Sequence, residues 1–138
     1  MLRVSSLLFL TLSLVGCFSG YRPIMPAQAE AFFVGDTLCL TTPERTEKQK
    51  LIGISMEKRG ESPGFRKFFK NQDEYLTVKK DTCIPTFGYK FETGSAYNVV
   101  IYFTTDAERV KSDVSLKNYS ISFVIWEKSD KSKQISVY

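Results

Sequence analysis

Two stretches late in the chain alternate apolar and polar positions. Tyr97, Val99, Ile101 and Phe103 share one face, with Asn98, Val100, Tyr102 and Thr104 on the other. Tyr119, Ile121, Phe123 and Ile125 stand in the same way against Ser120, Ser122, Val124 and Trp126. A period of two in β-branched and aromatic residues predicts strands rather than helices. Upstream, 31–34 and 37–41 flank Gly35-Asp36. The segment 51–56 alternates with Ile52, Ile54 and Met56 on one face. Shorter strand candidates cover 65–69, 74–78 and 82–84, the last stopped by Pro85, and another runs over 134–138. Segment 106–116 is the one helix candidate, and a long hairpin loop suits it equally. Seven or eight short strands with frequent turn signals predict an all-β, two-sheet sandwich, immunoglobulin-like or transthyretin-like, with antiparallel strands. Gly94-Ser95-Ala96-Tyr97, heading a core strand, is similar to the tyrosine corner of immunoglobulin-like domains. A Tyr that simply opens a strand would look the same.

The amino-terminal pattern is different. Behind Arg3, an apolar run from Leu7 to Val15 leads into Leu14-Val15-Gly16-Cys17. That run is too short to span a hydrocarbon core, which takes about 20 residues. Its build is that of a secretory leader. The last four residues resemble the lipobox of bacterial lipoproteins. The resemblance implies cleavage before Cys17 and a membrane anchor of several acyl chains on that residue, enough for stable attachment. Phe18 stands where an Asp would signal inner-membrane retention. The expected address is therefore the periplasm, on the inner leaflet of the outer membrane. Pro23, Pro26 and small residues make 18–30 read as a flexible tether, reaching about 40–45 Å when extended. The expected organisation is a leader over 1–16, a lipidated Cys and tether over 17–30, and a sandwich domain over 31–138.

Composition narrows this further. The chain has 138 residues and a formal net charge of +4, which suits one domain and is too weakly basic to argue for nucleic acid. With Cys17 given to lipid, Cys39 and Cys83 remain as an even pair in an oxidising compartment. They are predicted to form a disulfide, with two buried thiols as the alternative. The chain contains no His, so no Ser-His-Asp or Cys-His catalytic arrangement and no His-based metal site can form. The expectation is a non-enzyme with no cofactor, metal or small-molecule substrate.

One cluster carries candidate recognition chemistry. Lys58 and Arg59 precede Phe65-Arg66-Lys67-Phe68-Phe69-Lys70. As a strand, it would place Phe65, Lys67 and Phe69 on one face and Arg66, Phe68 and Lys70 on the other. Arg with aromatics is the composition of interface hot spots. Arg59, Phe65, Arg66, Lys67, Phe68 and Lys70 are the candidate partner-binding residues. The competing reading is an edge strand whose cations discourage aggregation while its Phe residues are buried. A second candidate is the mixed-charge connection 105–117. The charged run over Glu44, Arg45, Glu47, Lys48 and Lys50 reads as a solvated loop.

Taken together, these motifs resemble a family of small enterobacterial lipoproteins that give immunity to type VI secretion toxins in the periplasm. The likeness rests on the lipobox and Gly20-Tyr21-Arg22-Pro23, then Gly35-Asp36-Thr37-Leu38-Cys39-Leu40 and Asp81-Thr82-Cys83. It continues in the spaced Gly94, Tyr97, Val99, Ile101 and Tyr102, and in Tyr119, Ile121 and Phe123. It departs at Tyr21, where an acid is expected, and in the longer connection 105–117. The resemblance implies a non-catalytic protein that binds and neutralises a secreted antibacterial toxin. Two alternatives stand beside it. One is a structural or assembly lipoprotein of the envelope, which needs a large exposed apolar patch. The other is an inhibitor of lysozyme-type hydrolases. A basic domain suits basic lysozymes poorly.

Overall fold

The computed structural model describes residues 26–105 and 117–138. The expected leader, the expected lipidation site Cys17, most of the expected tether and the helix candidate 106–116 lie outside the described residues. The described chain forms eight strands in chain order. These are β1 (Ala27–Gln28), β2 (Glu30–Val34), β3 (Thr37–Thr41), β4 (Lys50–Lys58), β5 (Phe65–Phe68), β6 (Ala96–Thr104), β7 (Lys117–Glu127) and β8 (Lys133–Val137). They build two sheets, as the alternation predicts. The large sheet runs β1-β7-β6-β4-β5, with β8 also on β7, and the small one is the β2-β3 hairpin.

β7 organises the large sheet. One edge pairs with β6 from Lys117 to Val124. The other edge is shared. β1 runs parallel to its first half, Ala27 opposite Tyr119 and Gln28 opposite Ser120. β8 runs antiparallel to its second half, from Phe123↔Val137 to Glu127↔Lys133. The two meet where Ala29 N–H donates to Ser120 O and Tyr138 N–H to Ser122 O, both at 3.0 Å. Two expectations are corrected here. The sandwich is not wholly antiparallel, because β1 is parallel. The tether also ends sooner than residue 30, since Ala27–Gln28 pair in the sheet and Ala29 is only 1% exposed.

The inner face of the large sheet carries the core. Tyr97, Ile101, Phe103, Tyr119 and Phe123 are fully buried, with Val99, Ile121 and Ile125 beside them. Burying each such side chain contributes about 1.5–3 kcal/mol. β4 departs from the expected face. A bulge between Leu51 and Gly53 inserts Ile52, so Leu51 faces Phe103 and Gly53 faces Tyr102. The extra residue shifts the alternation. Leu51, Ile54 and Met56 enter the core cluster, while Ile52 is buried outside it.

Two strands cannot cover six. The second layer is completed by the strandless segment 75–95, whose Leu76, Val78, Ile84, Phe87, Tyr89 and Phe91 pack on the core beside Leu38, Leu40 and Phe33. The strands expected at 74–78 and 82–84 are absent there. β5 already occupies the edge of β4 as far as Ile52, whose carbonyl accepts from Phe69 N–H. Only Leu51 is left for Leu76, and the two exchange both hydrogen bonds as an isolated bridge. Ile84 N–H reaches Leu40 O at 2.8 Å, and Cys83 is bonded to Cys39. The segment is thus tied to β3 by one hydrogen bond and a disulfide instead of a ladder. Tyr97 behaves as a tyrosine corner: its hydroxyl accepts from Glu92 N–H at 2.7 Å, and Gly94 between them has φ of 83°.

Arg45 is the largest surprise in the fold. It belongs to a run that reads as a solvated loop, and Glu44, Glu47 and Lys48 are indeed exposed. Arg45 itself is 2% exposed. Its Nε donates to Thr42 Oγ1 at 3.1 Å, one terminal nitrogen to the carbonyls of Thr46 and Gln49, and the other to the carbonyl of Val78. The guanidinium lies 4.6 Å from the Phe103 ring centroid. Burial pushes its pKa below the usual value, against the fields of Tyr119 and Glu47.

Candidate functional site

The basic and aromatic cluster folds as an edge. β5 is the outermost strand on its side of the large sheet, antiparallel to β4 with Met56↔Phe65, Ser55↔Arg66, Ile54↔Lys67 and Gly53↔Phe68. Alternation then divides the side chains. Phe65 is half-buried against Tyr89, with ring centroids 5.6 Å apart, and Phe69 meets Phe87 edge-on at 5.9 Å. Phe65 therefore props the strand on the core. Lys67 and Phe69 share that side, and the Lys67 ammonium lies 5.7 Å from the Phe69 ring centroid.

Phe68 points the other way, onto the outer face, and stays 46% exposed. It is held there by two residues the sequence reading did not select. Its ring contacts Tyr102 of β6 at 5.0 Å between centroids. It reaches that far because Gly53, its partner on β4, leaves the intervening ground open. A Cβ on Gly53 would lie 2.3 Å from Phe68 Cδ1 and 2.8 Å from the Lys67 carbonyl. A lone Gly inside an apolar strand is the signal that could have revealed this close approach. Gly53→Ala is expected to destabilise the domain by about 1–3 kcal/mol through overpacking. It should also release the Phe68 ring, seen in a urea melt and in the aromatic shifts of Phe68 and Tyr102. Unchanged shifts would show that Gly53 does not seat the ring.

The charges around β5 are unequal. Lys58 is occupied, its ammonium 2.8 Å from Glu61 and 2.6 Å from Glu92. Those hydrogen bonds raise its pKa above the ordinary lysine value. Arg66 has only a 3.8 Å approach to Glu57. Among the described residues no carboxylate lies within 4.0 Å of the Arg59, Lys67 or Lys70 cations. Lys70 uses its backbone N–H on the Glu74 carboxylate at 3.2 Å. The structure thus gathers Arg66, Lys67, Phe68 and Lys70 along one exposed edge, with Arg59 in the β4–β5 turn.

Other surfaces are less concentrated. A cleft of about 210 Å³ opens between the small sheet and the β7–β8 end, lined by Phe33, Asp36, Thr37, Tyr89, Phe91 and Lys133 among others. Burial raises the Tyr89 phenol there above its usual pKa. Phe32 and Val34 project from β2, 43% and 60% exposed. Among the described residues no group of three or more Cys, Asp or Glu is placed to hold a metal ion, and no helix is long and apolar enough to cross a membrane.

Residues 26–128 match the family described as "Domain of unknown function (DUF7480)". The match runs from the entry to β1 through the end of β7 and stops short of β8. Searches of curated proteins and of solved structures give no match.

Proposed function

We propose that this chain, which belongs to the DUF7480 family, is a membrane-anchored periplasmic lipoprotein that binds and neutralises a secreted antibacterial toxin without chemistry of its own. The observation that carries this reading is the β5 edge: Lys67 and Lys70 ammonium groups with no carboxylate within 4.0 Å among the described residues, and a seated, half-exposed Phe, on the large sheet of a disulfide-linked domain. A blocking protein needs a rigid surface of this kind and an interface of about 1,200–2,000 Å² in all. The lipobox at Cys17 supplies the compartment, and the lack of His speaks against hydrolytic chemistry.

The test has two parts. Deleting the gene should sensitise cells to a sibling that delivers the toxin encoded beside it, and purified residues 18–138 should bind that toxin. Reversing the charges with Arg66→Glu and Lys67→Glu should weaken binding at least about tenfold, equivalent to about 1.4 kcal/mol. No sensitisation and no binding together reject the reading, and unchanged affinity in the reversed variant removes β5 from it. A second reading, docking into an envelope assembly, draws support from Phe32 and Val34 side by side on the outer face of β2.

A further inference from the structure

The main-chain polarity of β5 has a direction. Phe69 N–H donates to Ile52 O, and the register pairs residue 67 with 54 and 65 with 56. In an antiparallel ladder, residues that exchange hydrogen bonds alternate with residues that do not. Residues 65, 67 and 69 therefore turn their N–H and C=O groups toward β4. Arg66 and Phe68 turn theirs away, and no strand follows β5 on that side among the described residues. Two donors and two acceptors thus stand in a row at the repeat of a strand, open to a further strand. Natural proteins block such edges with charge or a covering segment. Here the blocking charges are all of one sign. No carboxylate lies within 4.0 Å of the Lys67 or Lys70 ammonium among the described residues, although Glu74 accepts from the Lys70 N–H, and Arg66 has a distant one in Glu57. They repel a second copy of the same basic edge and attract an acidic strand.

We infer that β5 receives an added strand, an extended acidic segment of a partner protein. Its backbone pairs with Arg66 and Phe68, its carboxylates meet Arg66, Lys67 and Lys70, and an apolar side chain lies on the ring of Phe68. Strand addition of this kind takes affinity from main-chain hydrogen bonds and specificity from alternate side chains. Phe68 is suited to the second task, because Gly53 and Tyr102 hold its ring before any partner arrives. The inference rests on the toxin-binding reading only for the identity of the partner, and it would hold for any acidic strand.

The test uses a synthetic strand-forming peptide that carries Glu on both faces, with one Val among the Glu residues of one face to meet Phe68, titrated at low salt into the 15N-labelled chain. Two control peptides accompany it, one N-methylated at alternate amides to abolish pairing and one with Lys in place of Glu. Amide shifts centred on Arg66 and Phe68, a dissociation constant below about 1 mM, and loss of both with either control peptide are expected. Absence of shifts at these amides, or equal binding of the N-methylated peptide, overturns the inference. Arg66→Pro adds a variant that keeps the β4 ladder, since residue 66 donates nothing to it, and edge strands tolerate Pro where the N–H faces solvent. It should lose peptide binding, whereas Arg66→Ala should only weaken it. Toxin affinity retained by Arg66→Pro would overturn edge pairing and leave the toxin reading standing. Failure of any toxin to bind would leave the peptide result to decide the edge alone.

Discussion

Replacing Arg45 with Met is expected to remove about 3–4 kcal/mol of stability, because two or three buried acceptors lose their donor at about 1–3 kcal/mol each. The acceptors are the carbonyls of Gln49 and Val78 and the hydroxyl of Thr42. Met restores most of the volume over Phe103, so the loss reads the hydrogen bonds more than a cavity. The partners place the effect. Thr42 and Gln49 belong to the β3–β4 connection, and Val78 belongs to the strandless part of the second layer. One guanidinium therefore clasps two irregular segments that no ladder joins. Arg45→Lys should recover only part of the loss, since one ammonium cannot span three directions. Urea midpoints of the three proteins test this. A loss below about 1 kcal/mol for Met would mean that water replaces the guanidinium at little cost.

Removing the disulfide is expected to be as damaging. Cys39 and Cys83 close a loop with a sequence separation of 44, and in the chain-entropy model such a link contributes about 3–4.5 kcal/mol. Its position adds to its weight. Cys83 belongs to the segment 75–95, which has one backbone hydrogen bond to β3 beside the disulfide. Without the link, Ile84, Phe87 and Tyr89 rest on the large sheet by side-chain contact alone. Cys39→Ala with Cys83→Ala should lower the urea midpoint accordingly, and reduction of the wild-type chain should match it. Hydrogen exchange should quicken first at the Ile84 amide. Equal midpoints for oxidised and reduced protein would contradict this.

The strands were legible wherever one face is dry and the other wet. β6 and β7 show this plainly, since they alternate between core and open face over 97–103 and 119–126. The hairpin of β2 and β3 was marked by Gly35-Asp36, and β5 and β8 fell close to their expected bounds. What escaped depends on partners distant in sequence. The inserted Ile52 exists only because of how β4 meets β6. β1 has two residues and becomes a strand only because β7 leaves half an edge free. Arg45 looks like its charged neighbours, and nothing local says that a pocket over Phe103 will take it. Likewise, the sequence offered β5 as an edge strand, but not that Phe68 lies over Gly53 against Tyr102.

The shared edge of β7 has a practical side for handling this protein. β1, through which the chain enters the domain, and β8, which leads to Tyr138, take up the same edge. β5 lies four strand spacings away across the sheet, about 19 Å. A tag, a dye or a sensor-chip linkage joined at residue 138 would emerge beside the incoming chain and far from β5. Immobilised that way, the domain would present its basic edge outward, away from the attachment point.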